Sequence, residues 1–360
     1  MIEIRKEPEI GPLTLPEELK TARRLVFYDI ETTGLSAYSS SLYLIGALTL
    51  ENGKCTLYQW FVPALSDELP VLRAFFSFLR PDDLLISFNG DTFDRNYLEA
   101  CAMQYSIPSP LKTLESADLL KRVRKCRQLL QLPDLRQKSI EAFLGIHRED
   151  RFTGGELIRV YEEYTQKPSD EALRLLLLHN EEDLLGMPLL LPVLLYGEAV
   201  SAPGNPEEIW QNKSGSLLFV SYRFPHAFPR KLEYEDPAGI RCTFSEETLT
   251  VTIPVLHAEL KYYFPNYRDY YYLPVEDRAI HKKLGRFVDK NFRVQASPEN
   301  CFTKRSGLFV PALKGSGLPL YKTAFDADAG FHYMEDPAGF IGMYAGYFLS
   351  GLQKDREHGA

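Results

Sequence analysis

Residues 25–28, Leu-Val-Phe-Tyr, run apolar without a break, and Asp29-Ile30-Glu31-Thr32-Thr33-Gly34 follows at once. A short apolar run bounded by a turn signal reads as a buried strand, here Leu25–Asp29 with its turn at Thr33-Gly34. Side chains alternate along a strand, so Asp29 and Glu31 project to one side and Ile30 to the other. Two carboxylates on one side of a buried strand end repel each other unless a cation binds them. A solvated strand end fits poorly with the apolar residues that precede it.

The neighbouring segments complete a sheet. Leu42–Leu50 and Thr56–Val62 read as strands joined by Glu51-Asn52-Gly53, an Asn-Gly hairpin signal. Glu68–Leu79 reads as a helix, Leu84–Phe88 as a buried strand ending at Asn89-Gly90, and Asp91–Tyr105 as an amphipathic helix. Three adjacent strands, then helix, strand and helix, predict an α/β fold with a mixed sheet covered by helices. Residues 1–24 read as a tether, with a short helix near residue 20. Residues 117–200 read as mostly helical, with Ser169 as an N-cap. That helix is expected to end near Met187, because Pro188 disfavours continuation.

A chain of 360 residues is long for one core, and Ala202-Pro203-Gly204-Asn205-Pro206 is the best linker candidate. The expected domains are 25–200 and a smaller α+β domain at 207–360, with nucleic-acid binding a candidate role for the second. Thr248–Val255 alternates like a strand, Lys261–Leu273 is crowded with tyrosine, and Val275–Lys290 reads as a helix. Glu235-Asp236-Pro237-Ala238-Gly239 recurs as Glu335-Asp336-Pro337-Ala338-Gly339, read as two similar tight turns.

Hydrophobic content of 45% and charged content of 25% suit a soluble globular protein. The net charge of −8 lies in the first half: residues 1–200 carry 22 basic and 30 acidic side chains, the remainder 19 of each. A carboxylate cluster neutralised by bound cations makes this compatible with a nucleic-acid partner. Cys55, Cys101, Cys126, Cys242 and Cys301 form no C-x-x-C pair, which argues against a zinc site or a disulfide framework and suits a reducing cytoplasm. The first ten residues carry charges where a signal peptide needs an apolar core. The apolar stretch Ala172–Val200 is interrupted by His179, Glu181, Glu182 and Asp183, and reads as too polar for a bilayer.

Two further segments carry chemistry. Asn89-Gly90-Asp91-Thr92-Phe93-Asp94 follows one buried strand and opens a helix. Asp91 and Asp94 compete for a ligand role; Asp94 is taken as the ligand, with Asp91 suited to an N-cap. In His179-Asn180-Glu181-Glu182-Asp183, His179 and Asp183 stand at i and i+4 on one helix face. An imidazole beside a metal-bound carboxylate can take a proton from a nucleophilic water.

Together these motifs resemble the DEDD 3′→5′ exonucleases of the DnaQ-like, ribonuclease-H-like superfamily, and most closely the YprB-type branch. The resemblance covers Leu25 to Val200. Asp118-Leu119-Leu120, the basic run after it, and Leu144-Gly145-Ile146-His147-Arg148-Glu149-Asp150 add to it. It implies a five-stranded ribonuclease-H-like sheet and two Mg²⁺ or Mn²⁺ ions on Asp29, Glu31, Asp94 and Asp183. It also implies His179 as general base and a DNA or RNA substrate, most simply a single-stranded 3′ end. Family members with a histidine base usually have four residues before the last aspartate, those with tyrosine three; here histidine has the tyrosine spacing.

Thr32 and Asn89, beside the carboxylates, are candidate substrate contacts. So are Lys121, Arg122, Arg124 and Lys125, in the basic run Lys121–Arg127, which reads equally as a phosphate grip or a solvated helix face. Asp118 reads as an N-cap or a supporting polar group. The tyrosine-rich stretch 261–272 reads chiefly as strand residues, with base stacking the alternative. The rival functions are a structure-selective endonuclease on the same fold and a nucleic-acid-binding scaffold with a weakened site.

Overall fold

The structure, a computed structural model, describes residues 1–16, 19–20, 24–64, 68–335 and 337–352. The chain divides into two compact units, made mainly of residues 1–197 and 198–354.

The first unit is built on six strands: β1 (Ile2–Lys6), β2 (Arg24–Thr32), β3 (Leu42–Glu51), β4 (Lys54–Phe61), β5 (Asp83–Ser87) and β6 (Glu115–Asp118). Their order is β1-β4-β3-β2-β5-β6, and only the β2–β5 and β5–β6 pairs are parallel. Asn52 and Gly53 turn the β3–β4 hairpin with φ of 52° and 75°, the left-handed pair that matches strand twist. The sheet therefore has six strands rather than five. The extra strand comes from the expected tether: Ile2–Lys6 pairs antiparallel with Leu57–Phe61. The edge of β4 offers unpaired backbone groups, and a partner for such an edge is chosen by tertiary proximity, not by local pattern. Similarly, Ala117 and Asp118, expected to open a mostly helical region, instead end the strand Glu115–Asp118, fixed by parallel pairing to β5.

Helices cover the sheet: α1 (Glu68–Phe78), α2 (Asp94–Gln104), α3 (Leu119–Arg124), α4 (Arg127–Leu130), α5 (Gln137–Leu144), α6 (Gly154–Gln166), α7 (Asp170–Leu190) and α8 (Leu194–Ser201). Leu25–Tyr28 is buried throughout, as a strand covered on both faces must be. Val26, Tyr28 and Ile30 join a core with Leu44, Trp60, Phe75 and Tyr161. Each such side chain contributes about 1.5–3 kcal/mol by leaving water. Ile30 thus sinks into the core while Asp29 and Glu31 take the other side. Where β2 and β5 begin, Arg24 pairs with Asp83 across the sheet at 2.5 Å, both buried.

Ser169 caps α7 by accepting from the Ala172 N–H at 3.2 Å. The helix does not stop before Pro188 but runs to Leu190. Met187, Pro188 and Leu190 are buried, and that burial offsets the one backbone bond that proline removes. By length and composition Asp170–Ser201 is apolar enough to cross a membrane, despite its charged residues; 72% of its apolar window is buried inside the protein, as in a core helix.

The second unit is mainly β. β7 (Glu208–Gln211), β8 (Leu217–Arg223), β9 (Leu232–Glu235), β10 (Arg241–Ser245) and β11 (Thr248–Pro254) form an antiparallel sheet ordered β7-β8-β11-β10-β9. In β11 the alternation buries Leu249, Val251 and Ile253. β12 (Leu256–Tyr263), β13 (Tyr270–Leu273), β14 (Arg278–His281), α9 (Lys282–Gly285), β15 (Val294–Gln295), β16 (Phe302–Pro311), β17 (Tyr321–Lys322), β18 (Phe331–Tyr333) and α10 (Pro337–Gly351) follow. β12, β16, β18 and β17 close a small barrel, and β14-β13-β15 is a separate sheet. Val275–Lys290 is therefore not one helix: Arg278–His281 pairs with β13, and His281 caps the single turn of α9 through the Lys283 N–H. The repeated pentapeptide also diverges. Its first copy is a turn closed by Gly239 N–H to the Asp236 carbonyl at 3.0 Å, whereas in the second Pro337 opens α10, a position that costs proline no hydrogen bond.

Candidate functional site

The end of β2 presents Asp29 and Glu31 toward α7. Gly46 on β3 pairs with Asp29, and a Cβ there would lie 2.0 Å from Asn180 Oδ1. Only glycine lets α7 approach this closely. Asn180 is fully buried; its Nδ2 donates to Asp29 Oδ2 at 2.9 Å, and its Oδ1 accepts from Gln59 Nε2 at 3.0 Å.

Asp94 is the first residue of α2, buried, and accepts from the Ile30 N–H at 3.1 Å. The turn before it is tight: a Cβ on Gly90 would meet Ser87 Oγ at 2.4 Å. Asp118 holds that turn through the Asn89 N–H at 3.0 Å and also caps α3. Asp91 turns away and pairs with Lys121 at 2.6 Å rather than capping α2. The structure thus brings Asp94, not Asp91, to the β2 carboxylates.

On α7, His179 is buried with Nε2 3.4 Å from Asp183 Oδ2 and 3.7 Å from Glu31 Oε1. Ligand atoms of Glu31, His179 and Asp183 all lie within 4.8 Å of one another, a group able to hold a metal ion. Burial first, then Glu31, Asp183 and Asp94, pushes the Asp29 carboxyl well above its usual range, against the pull of the Asn180 amide. Glu31 is raised in the same way by burial and by Asp183 and Asp94. Burial also pushes Asp94 up to about 7, against the backbone amides that stabilise its charge. Without cations this crowding opposes ionisation; with cations the same crowding becomes a ligand set.

Several residues that the sequence reading left without a role complete the site. Asp150 Oδ2 lies 2.7 Å from His179 Nδ1 and 2.9 Å from Lys138 Nζ. Burial opposes ionisation of Asp150, but Lys138, the Phe152 N–H and His179 outweigh it and hold the carboxyl below its usual range. Arg148 Nη1 meets Asp183 Oδ1 at 2.5 Å, and its Nη2 meets Glu141 Oε1 at 2.6 Å. Gln137 bridges Glu141 and the Asp183 carbonyl, each at 2.8 Å. Gly186 makes room for this network, since a Cβ there would lie 1.9 Å from Glu141 Oε1. The only sequence signal for Arg148 and Asp150 was their shared segment 144–150.

The remaining candidates sit around this cluster without joining it. Thr32 donates to the Gly34 carbonyl at 2.7 Å, and exposed Asn89, at φ 69°, accepts from Thr92 Oγ1 at 2.9 Å. Lys121, Arg124 and Lys125 are exposed on or just after α3, and Arg122 is half-buried.

Residues 26–195 match the family model RNase_H_2, described as RNase H superfamily. No curated protein matches the chain. Among solved structures, the chain is similar to a family B DNA polymerase from the hyperthermophilic archaeon Pyrobaculum calidifontis, at 14% identity and TM-score 0.39, covering 65% of this chain and 39% of the other. It is similar to E. coli Exonuclease I in complex with a dT13 oligonucleotide, at 11% identity and TM-score 0.34, covering 55% of each chain. A moderately thermophilic Exonuclease I from Methylocaldum szegediense gives 14% and 0.30, over 59% of this chain and 54% of its own. The chain thus spans between 39% and 55% of the length of these proteins. The matched residues 26–195 take in the strand ends that carry the carboxylates and the long helix α7 that closes over them.

Proposed function

We propose that the first unit is a divalent-metal-dependent nuclease that hydrolyses phosphodiester bonds from a 3′ end. The observation that supports this reading is a buried set of carboxylates, Asp29, Glu31, Asp94 and Asp183, close enough to act on one another, with Glu31 and Asp183 beside the Nε2 of buried His179. The donor set fits Mg²⁺ or Mn²⁺, because hard cations take carboxylate oxygens. Bound there, two cations would supply Lewis acidity to the attacking water and to the leaving oxygen.

The chain's own residues do the rest. Asp150, held ionised by Lys138, can only accept, so His179 Nδ1 donates to it. In the neutral ring Nε2 then carries the lone pair, facing Glu31 and Asp183, and can take the water's proton. Arg148 fixes one oxygen of Asp183 and leaves the other toward the site. Gln59 and Asn180 hold Asp29 in place.

The test is end-labelled single- and double-stranded DNA and RNA incubated with Mg²⁺ or Mn²⁺, with products sized on a gel. Mononucleotides released from the 3′ end are expected. Internal fragments would replace this reading by an endonuclease, and intact substrate under all conditions would leave a binding or scaffold protein.

A further inference from the structure

The geometry points to a second nucleic-acid contact in the second unit: the outer surface of residues 278–293 binds a single strand by charge and by stacking. Within that stretch Arg278, Lys282, Lys283, Arg286, Lys290 and Arg293 stand against one acid, Asp289, in a half of the chain where acids and bases are equal in number. Asp289 is itself engaged by the Asn291 N–H at 2.9 Å. None of these six cations forms an ion pair among the described residues. Elsewhere in the same unit several surface cations are matched: Arg223 with Glu207, Lys231 with Glu233, Arg241 with Glu235, Lys304 with Asp277. A cluster left without acids is an electrostatic footprint for a polyanion.

Aromatic rings interleave with these charges. Phe287 is 77% exposed and Phe292 55%, unusual for side chains of that size in a folded unit. The Arg286 guanidinium lies 4.7 Å from the Phe287 ring centroid. Lys282 and Arg293 converge on the ring of Tyr271, at 5.4 Å and 4.7 Å. The backbone keeps this arrangement together. A Cβ on Gly285 would lie 2.8 Å from Tyr271 Cδ2, and Arg293 donates to the Gly285 carbonyl. Cations that follow a phosphate backbone, beside rings that offer a face to any base, are the two elements of sequence-tolerant single-strand binding. The α3 run offers only the first of them. The inference rests on the proposed nuclease function for its choice of polyanion, and on the charge and ring arrangement for its location.

The test measures binding of the full chain to a fluorescein-labelled oligo-dT, by anisotropy in EDTA at several salt concentrations. Lys283→Gln, Arg286→Gln and Lys290→Gln together should weaken binding and reduce the salt slope by about 2, at ~0.7 per lost contact. Phe287→Ala should weaken binding roughly 5- to 150-fold, the range for one stacked base, with the slope kept. All four side chains are exposed, and circular dichroism melts confirm that each variant folds. Wild-type affinity and slope in both variants would overturn the inference. So would vesicles of phosphatidylserine and phosphatidylcholine binding through these residues while the oligonucleotide does not. Because EDTA removes hydrolysis from the measurement, binding without any nuclease activity would sink the proposed function alone. Nuclease activity with binding untouched by the variants would sink this surface alone.

Discussion

Asp94→Asn removes a charge from the crowded site while keeping an oxygen to accept from the Ile30 N–H. Burial lifts the Asp94 carboxyl from 3.8 to about 7. Ionising it therefore costs about 4 kcal/mol more in the folded chain than in the unfolded one. Since the folded value is the raised one, the stability linked to its proton is fully present below about pH 4 and lost as pH rises through about 7. The asparagine does not titrate. In EDTA at about pH 8 the variant should exceed wild type by up to ~4 kcal/mol, and the gap should close to under ~1 kcal/mol near pH 4. For a unit of this size that is a Tm difference of roughly 8–16 °C at the higher pH. Thermal melts across pH, followed by circular dichroism, give the comparison directly. Mn²⁺ should raise the wild-type Tm more than the variant's, because a cation exploits the charge that asparagine lacks. Equal melting temperatures at high pH, or a gap that does not change with pH, would refute the claim that these carboxylates are crowded against their own ionisation.

Asp29→Ala should abolish hydrolysis in the labelled-substrate assay while the circular dichroism spectrum is kept, because the residue sits at a strand end and not in the core. His179→Ala should cut turnover by about 10²–10⁴-fold with metal binding retained; Asp150→Asn, which removes the negative charge that faces Nδ1, should lower turnover while KM changes little, and wild-type turnover in both variants would assign the pair a packing role. Gly46→Ala forces a methyl against Asn180 and should cost ~1–3 kcal/mol in chemical denaturation together with activity; a neutral effect would mean α7 is free to shift. Arg24→Met strands the buried Asp83 and should destabilise by ~3–5 kcal/mol, measured by urea unfolding at constant slope.

The sequence alone determined that β2 is buried and that Asp29 and Glu31 leave it on one side, since both follow from a period of two in an apolar run. It also determined the hairpin at Asn52-Gly53, the N-cap at Ser169, and the shared face of His179 and Asp183, all of them consequences of short-range geometry. The tertiary structure decided what depends on residues distant in the chain. Ile2–Lys6 became a strand because β4 had an open edge. Pro188 stayed inside α7 because its surroundings are buried. Arg278–His281 left a helical pattern to pair with β13. In the site, it decided between Asp94 and Asp91 by sending Asp91 to Lys121, and it gave His179 its partner Asp150, 29 residues away in sequence. A local pattern fixes which face a side chain takes, but hydrogen bonds and ion pairs between distant segments are fixed only when packing brings their partners to bonding distance.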